Sequence, residues 1–364
     1  MKQIPPKARF AQIYRTPHSL DSREGLELMD RNERTVDFPP EVMEDLRQTL
    51  TPFLLRAYPE PEVLYRRLAE WLHLPRPMLL LTSGADGGLR SIFDVFVEPG
   101  DEVVSVNPSY AMYPIYCGIS GALLQQVPFE EDLSLSLEKI LSQIRKKTKL
   151  VLLANPNQPI ERVYSEKELQ VLLEVCLKNE ALLVMDEAYH HFCPFTAVPY
   201  LKGNGNLIIV RSFSKAFGIA GLRLGYLVAQ PETIVQLNKV RPMYEAHSFA
   251  IAVGIYLLEH DHLMKSYVMQ VKEAMTFLKA AFLGLGFQAS GQWGNSTLVT
   301  LPLQLPAQEI ARGLRRKGFL IRAETQAPLS NHLRITLGSK AQAQRLWAAF
   351  EAVLLERKMA HVIS

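Results

Sequence analysis

Arg211-Ser212-Phe213-Ser214-Lys215-Ala216-Phe217-Gly218-Ile219-Ala220-Gly221-Leu222-Arg223-Leu224-Gly225-Tyr226 is the most informative stretch of the chain. Apolar runs at 206–210 and 224–229 flank it, and both read as strands. Between them a lysine stands among serines, glycines and alanines. Physical chemistry alone leaves two readings open. In one, Lys215 is an ordinary exposed loop lysine. In the other, the loop holds an anion and the lysine reacts. The second reading needs hydroxyls and an arginine near the anion, and Ser212, Ser214 and Arg223 provide them. It also needs burial, because desolvation lowers a lysine's pKa. A neutral amine can then form a Schiff base with an aldehyde.

Outward from this segment, short apolar runs alternate with amphipathic helical patterns. Strands are predicted at 78–82, 102–106, 149–154, 181–185, 206–210 and 224–229, with helices near 86–97, 109–119, 137–145 and 165–179. This alternation predicts an α/β fold: a mostly parallel sheet with helices on both faces. Several strands are wholly apolar, as expected of strands covered on both sides. Two helices at 40–50 and 62–73 precede this region. A long helix is predicted at 247–283, closed by Gly284-Leu285-Gly286. Residues 297–355 read as a smaller α+β unit. The predicted division is an N-terminal arm at 1–39, a large domain at 40–250, and a linking helix with a small C-terminal domain at 251–364.

Further segments carry chemistry. Leu182-Leu183-Val184-Met185-Asp186-Glu187-Ala188-Tyr189 is an apolar strand ending in two acids. Ligands of open α/β sheets lie beyond the carboxyl ends of strands, so an acid there faces a site or caps a helix. Thr82-Ser83-Gly84-Ala85-Asp86-Gly87-Gly88-Leu89 leaves a strand and opens a helix, where small residues let backbone N–H groups close on a phosphate. Asn107-Pro108-Ser109-Tyr110-Ala111-Met112-Tyr113 follows another strand. Leu333-Arg334-Ile335-Thr336-Leu337-Gly338 sets an arginine in an apolar run, where a lone guanidinium would be costly. It is either a structural ion pair or an anion receptor.

Together these strings resemble the fold-type I pyridoxal-phosphate (PLP) dependent aminotransferases of class I/II, and within them the histidinol-phosphate aminotransferase branch. The likeness spans residues 25–350, with sixteen consecutive positions around Lys215. It implies the PLP-dependent transferase fold and a mechanism in which Lys215 bonds to the cofactor and later shuttles a proton. Ser212, Ser214 and Arg223 would hold the cofactor phosphate, with Gly84, Ala85 and Asp86 cradling it. Asp186 would hold the proton on the ring nitrogen, which lets the cofactor act as an electron sink. Tyr189 would stand beside the ring hydroxyl, and Tyr110 would stack on the ring. Arg334 would bind the substrate α-carboxylate, since a guanidinium fork suits that planar anion. Arg56-Ala57-Tyr58-Pro59-Glu60-Pro61 resembles a stretch whose tyrosine reaches the neighbouring subunit's cofactor phosphate, so Tyr58 implies a homodimer.

Three places depart from the family pattern. The Asn-Pro-Thr-Gly string is replaced, and Asn155-Pro156-Asn157-Gln158-Pro159-Ile160-Glu161 stands there. Gln158 takes the position of the asparagine that contacts the ring hydroxyl, or Asn157 takes the role instead. The arm reads Asp30-Arg31-Asn32-Glu33-Arg34-Thr35 where the family has Asn-Glu-Asn-Pro-Tyr-Gly. Arg322 matches a position used for a substrate phosphate, but Glu324-Thr325-Gln326 replaces the aromatic-glycine loop after it. His190-His191 is not read as a metal pair, because neighbours on extended backbone point apart.

Bulk composition sets the frame. The 364 residues exceed one small core, and 48% apolar with 21% charged residues is ordinary for a globular chain. A net charge of +3 gives no reason to expect nucleic acid or an anionic membrane as partner. Three cysteines without close spacing argue against a disulfide framework. The expected setting is the cytoplasm. The expected reaction passes an amino group between an amino acid or a phosphorylated or otherwise anionic amine and a 2-oxo acid. The alternative on the same scaffold is decarboxylation of a phosphorylated amino acid, as in the similar threonine-phosphate decarboxylases.

Overall fold

The computed structural model describes residues 4–15 and 22–363. Its strands are β1 (Glu27–Met29), β2 (Leu79–Thr82), β3 (Glu102–Asn107), β4 (Leu123–Pro128), β5 (Thr148–Ala154) and β6 (Leu182–Asp186). They continue with β7 (Leu207–Ser212), β8 (Gly225–Ala229), β9 (Gln288–Ser290), β10 (Ser296–Thr300), β11 (Phe319–Glu324) and β12 (His332–Thr336). Seven form a large sheet in the order β2-β8-β7-β6-β5-β3-β4. Only β8 runs antiparallel, against both β2 and β7. The other pairings in that sheet are parallel.

Apolar strands give this sheet two cores. Leu79, Leu81, Val151, Leu153, Leu183, Met185, Leu207 and Ile209 belong to one. Their neighbours Leu80, Leu150, Leu152, Val184 and Ile208 belong to the other. The period-two alternation of side chains sends successive residues to opposite faces. Both faces are covered by helices, so each residue is apolar. The helix Gly84–Phe96 lies on one face, with Leu89, Ile92 and Phe93 buried. The helix Glu166–Lys178 lies on the other, and Ser165 with Glu168 caps it reciprocally.

A second sheet has the order β1-β11-β12-β10-β9. Its edge strand β1 comes from the N-terminal arm and pairs in parallel with β11. The helices Ala307–Arg316 and Lys340–Ile363 accompany this sheet.

Three expectations are corrected. Strand β4 was not predicted: its residues are largely exposed or half-buried at a sheet edge, and two central glutamines hide the pattern. The helix predicted over 109–119 begins only at Tyr113, after a turn in which Tyr113 N–H donates to the Tyr110 carbonyl. The predicted helix over 247–283 is two helices, Ser248–Glu259 and His262–Gly284. The break at His260 and Asp261 leaves the apolar stripe nearly in phase, so periodicity reads through it.

Candidate functional site

The predicted residues gather at the carboxyl ends of β2, β6 and β7. Asp186 closes β6 and Ser212 closes β7, on neighbouring strands. The two acids that end β6 part company. Glu187 turns into the core and pairs with Arg211 at 2.8 Å, with side chains 0% and 4% exposed. Thr196 and the Ala197 N–H complete its bonds. Asp186 accepts from the Tyr113 hydroxyl at 2.8 Å and from the Ala188 N–H at 3.1 Å. Burial pushes the Asp186 carboxyl up to about 6, although the Tyr113 bond opposes the shift. Burial, then the nearby Asp186 charge, raises Tyr113 well above the ordinary phenol range.

An anion cradle lies beside this acid. The helix Gly84–Phe96 starts directly after β2, and its first-turn N–H groups have no intrahelical acceptor. Two glycines bring the parts together. A Cβ on Gly225 would lie 2.5 Å from the Gly84 carbonyl carbon and 2.7 Å from the Ala85 nitrogen, so only glycine lets β8 approach the helix start. Gly84 has φ +69°, and a Cβ there would stand 2.7 Å from Arg223 Nη2. The Arg223 guanidinium therefore covers the helix start, and its Nη2 is 3.3 Å from Asp86 Oδ2. Asp86 also accepts from the Tyr110 and Tyr116 hydroxyls at 2.7 and 2.9 Å. Ser212 and Ser214 are buried, and Ser212 Oγ accepts from the Ser214 N–H at 3.0 Å.

Lys215 is half-buried. Its Nζ lies 3.5 Å from the Arg31 carbonyl and 5.5 Å from the Tyr189 ring centre. Among the described residues no carboxylate forms an ion pair with it. Tyr189 OH accepts from Asn32 Nδ2 at 3.0 Å, which ties the arm to the site. Asn32 is 2% exposed with φ +55°, and Thr336 of β12 and Asn295, just before β10, hold it. Tyr110 is 39% exposed and meets Tyr113 edge-on at 5.6 Å.

Arg334 and Arg322 are opposite each other on β12 and β11. Arg334 Nη2 donates to the Asp30 carbonyl at 3.1 Å, and its Nε is 3.6 Å from Glu324 Oε1. Tyr58 lies outside this cluster, 75% exposed and stacked on Tyr244 at 4.3 Å.

Two residues expected at the cofactor have their side chains engaged by other parts of the chain. The Asn157 amide ties the turn after β5 to the loop after β3: it donates to the Pro108 and Ile160 carbonyls and accepts from Ser109 Oγ. Gln158 turns to the second sheet, where its Oε1 accepts from Ser296 Oγ at 3.2 Å and its amide nitrogen fills the space a side chain at Gly294 would need. The histidine pair is corrected in geometry. His190–Phe192 is a 3-10 turn, not an extended segment, and the His190 and His191 rings are 3.9 Å apart. Burial, with Arg211 nearby, depresses both, His191 to about 3.

Sequence reasoning missed Tyr113 and Asn32. Tyr113 sits in the same quoted string as Tyr110, and Asn32 in the divergent arm. Neither residue type nor spacing singles them out, since only the packed sheets bring them to Asp186 and Tyr189.

Comparison with known proteins agrees with this geometry. The family model described as aminotransferase class I and II matches residues 28–350. The chain is 32% identical over 335 residues to a histidinol-phosphate aminotransferase of Symbiobacterium thermophilum, covering 90% of each chain. It is 31% identical over 330 residues to one of Caldanaerobacter subterraneus, covering 90% of this chain and 92% of that one. A histidinol-phosphate aminotransferase of Sinorhizobium meliloti, solved in complex with pyridoxal-5'-phosphate, superposes with a TM-score of 0.84 at 25% identity over 96% of this chain and 97% of that one. The buried carboxyl of Asp186, the lysine after β7 and the Arg223-covered helix start fit a phosphorylated pyridine of that kind. The chain belongs to the class I and II aminotransferase family, and it is an aminotransferase of the PLP-dependent transferase fold type I.

Proposed function

We propose that this chain uses pyridoxal phosphate to move an amino group between a small amine with an anionic end and a 2-oxo acid. The amine is an amino acid or a histidinol-phosphate-like compound, the second suggested by the names of the relatives. The observation that carries the reading is the meeting of Lys215, Asp186 and the Arg223 cradle at the carboxyl ends of β6 and β7.

The chain's own groups divide the work. Arg223, Ser212, Ser214 and the helix start at Gly84, Ala85 and Asp86 hold the phosphate. Asp186, oriented by Tyr113, holds a proton at the ring nitrogen. Tyr189, oriented by Asn32, would meet the ring hydroxyl, and Tyr110 would cover the ring. When bound, the cofactor supplies an electron sink for negative charge that develops at the substrate α-carbon. With the cofactor bound, Lys215 would take the α-proton as general base and deliver it as general acid to the cofactor's C4′ carbon. Arg334 pairs with the α-carboxylate, and Arg322 extends the anion-binding face.

The reading extends to assembly. Phe53, Leu55, Tyr58 and Met243 are 58%, 75%, 75% and 79% exposed, a patch suited to a second copy of the chain. In a homodimer Tyr58 would reach the other subunit's cofactor phosphate. The three cysteines are free and buried, which suits the cytoplasm. Among the described residues no helix is long and apolar enough to cross a membrane. The proposed division remains an arm at 1–39, a cofactor domain at 40–250 and a C-terminal unit at 251–364.

The test is spectroscopic. Purified protein mixed with pyridoxal phosphate should develop a visible absorption band, which an amine donor bleaches and a 2-oxo acid restores. Lys215→Ala should form no such band. Release of carbon dioxide without consumption of the oxo acid would overturn transamination in favour of decarboxylation.

A further inference from the structure

The second sheet carries a charge arrangement that bears on which amine enters the site. Arg322 and Arg334 are directly opposite on antiparallel β11 and β12, so their guanidinium groups share a face. Glu324 lies two residues from Arg322 and therefore on that face as well. Its Oε1 is 3.6 Å from Arg334 Nε and its Oε2 is 3.8 Å from Arg322 Nε. These separations describe ion pairing without tight hydrogen bonds. Glu324 and Arg334 are 16% and 19% exposed, while Arg322 is 60% exposed.

Two like charges opposite each other repel, and Glu324 offsets that repulsion. The arm adds its own charges. Asp30 pairs with Arg23 at 2.6 Å and with Arg31 at 3.5 Å, and Glu33 pairs with Arg23 at 2.7 Å. Burial lowers the pKa of His332, which is opposite Glu324 and bonds Thr300. Four arginines thus face three carboxylates, leaving one positive charge.

We infer that Glu324 sets substrate specificity: by taking up one of the two charges of the Arg322–Arg334 pair, it favours amines with a single carboxylate over amines that carry a phosphate monoester. This rests on the transamination reading and selects within its substrate class. A monocarboxylate neutralises the remaining charge. A phosphate monoester is close to dianionic at neutral pH, so it brings a second negative charge against the Glu324 carboxylate. Repulsion at such separations near a surface amounts to about tenfold in affinity.

The experiment pairs activity with binding, on the protein loaded with pyridoxal phosphate. Donors with the same imidazole side chain, L-histidine and L-histidinol phosphate, are compared by kcat/KM with a 2-oxo acid acceptor. Butyrate and propyl phosphate, which cannot react, are compared by calorimetric titration. Glu324→Gln should shift both ratios toward the phosphate compound by about tenfold. Glu324→Asp keeps the charge and should keep the wild-type ratios. Arg322→Gln, at an exposed position, should shift them toward the carboxylate. Glu324→Gln ratios that stay at the wild-type value, or that move toward the carboxylate, overturn the proposal. If no amine exchanges in any variant, the transamination reading fails, while the butyrate and propyl phosphate titrations still decide the role of Glu324. If Glu324→Gln does not load cofactor, the Arg322→Gln shift decides instead, and its absence counts against the proposal.

Discussion

Asp186 illustrates how one residue's environment prepares it for chemistry. A carboxylate with 5% exposure is expensive unless it is paired, and Tyr113 and Ala188 satisfy it only in part. Its pKa rises from 3.8 to about 6. Below the unfolded value the folded chain carries this acid without cost, and the cost grows as pH rises through the folded value. In cofactor-free protein, Asp186→Asn should therefore be more stable than wild type at pH 8, by roughly 2–3 kcal/mol. The advantage should shrink as pH falls toward 5. Thermal unfolding at the two pH values measures it, and a wild type more stable than the variant at pH 8 contradicts the argument. Such stability given up at a site is the usual companion of function. Lys215, Asp186 and Arg223 were legible at this scale because their strings are long and their chemistry is specific. Tyr113 was not, because a tyrosine near a helix start is ordinary until the fold sets it on Asp186.

At the scale of elements, the altered turn after β5 is the clearest case. Glu161 accepts from the Gln292 and Trp293 N–H groups at 2.8 and 2.6 Å, and Gln158 reaches Ser296. The turn clasps the β9–β10 hairpin. Two charge-assisted bonds are lost in Glu161→Ala, which should cost roughly 2–3 kcal/mol in urea unfolding. Trp293 emission should report the released loop. Unchanged stability together with unchanged emission would mean the clasp is incidental. Strands of the large sheet were legible as elements because helices cover both faces, so apolar runs stand unbroken. Edge strand β4 was not, since half its environment is solvent. The kink at His260 was invisible for the opposite reason, an apolar pattern that carries on across it.

At the scale of the whole molecule, the arm and the assembly matter most. Strand β1 joins the second sheet, and Asn32 then links that sheet to Tyr189 at the edge of the first. The arm is thus a strut between the two sheets. The exposed patch around Phe53 and Tyr58 leads to a measurable expectation. The protein should sediment at twice the mass of one chain. Phe53→Asp combined with Leu55→Asp should give a monomer that holds pyridoxal phosphate more weakly. A wild-type protein that sediments as a single chain would remove the proposed role of Tyr58.

By itself the sequence determined the α/β alternation, the family and the lysine-centred chemistry. Those properties depend on local pattern and on residue type, which the chain carries in linear order. Tertiary structure alone decided what the second acid does: Glu187 turns into the core, where the buried Arg211 partner holds it. It alone set Asn157 against the loop after β3 and Gln158 against the second sheet. It also placed Glu324 between two arginines, because cross-strand register brings together residues that are remote from, or unremarkable to, one another in the chain.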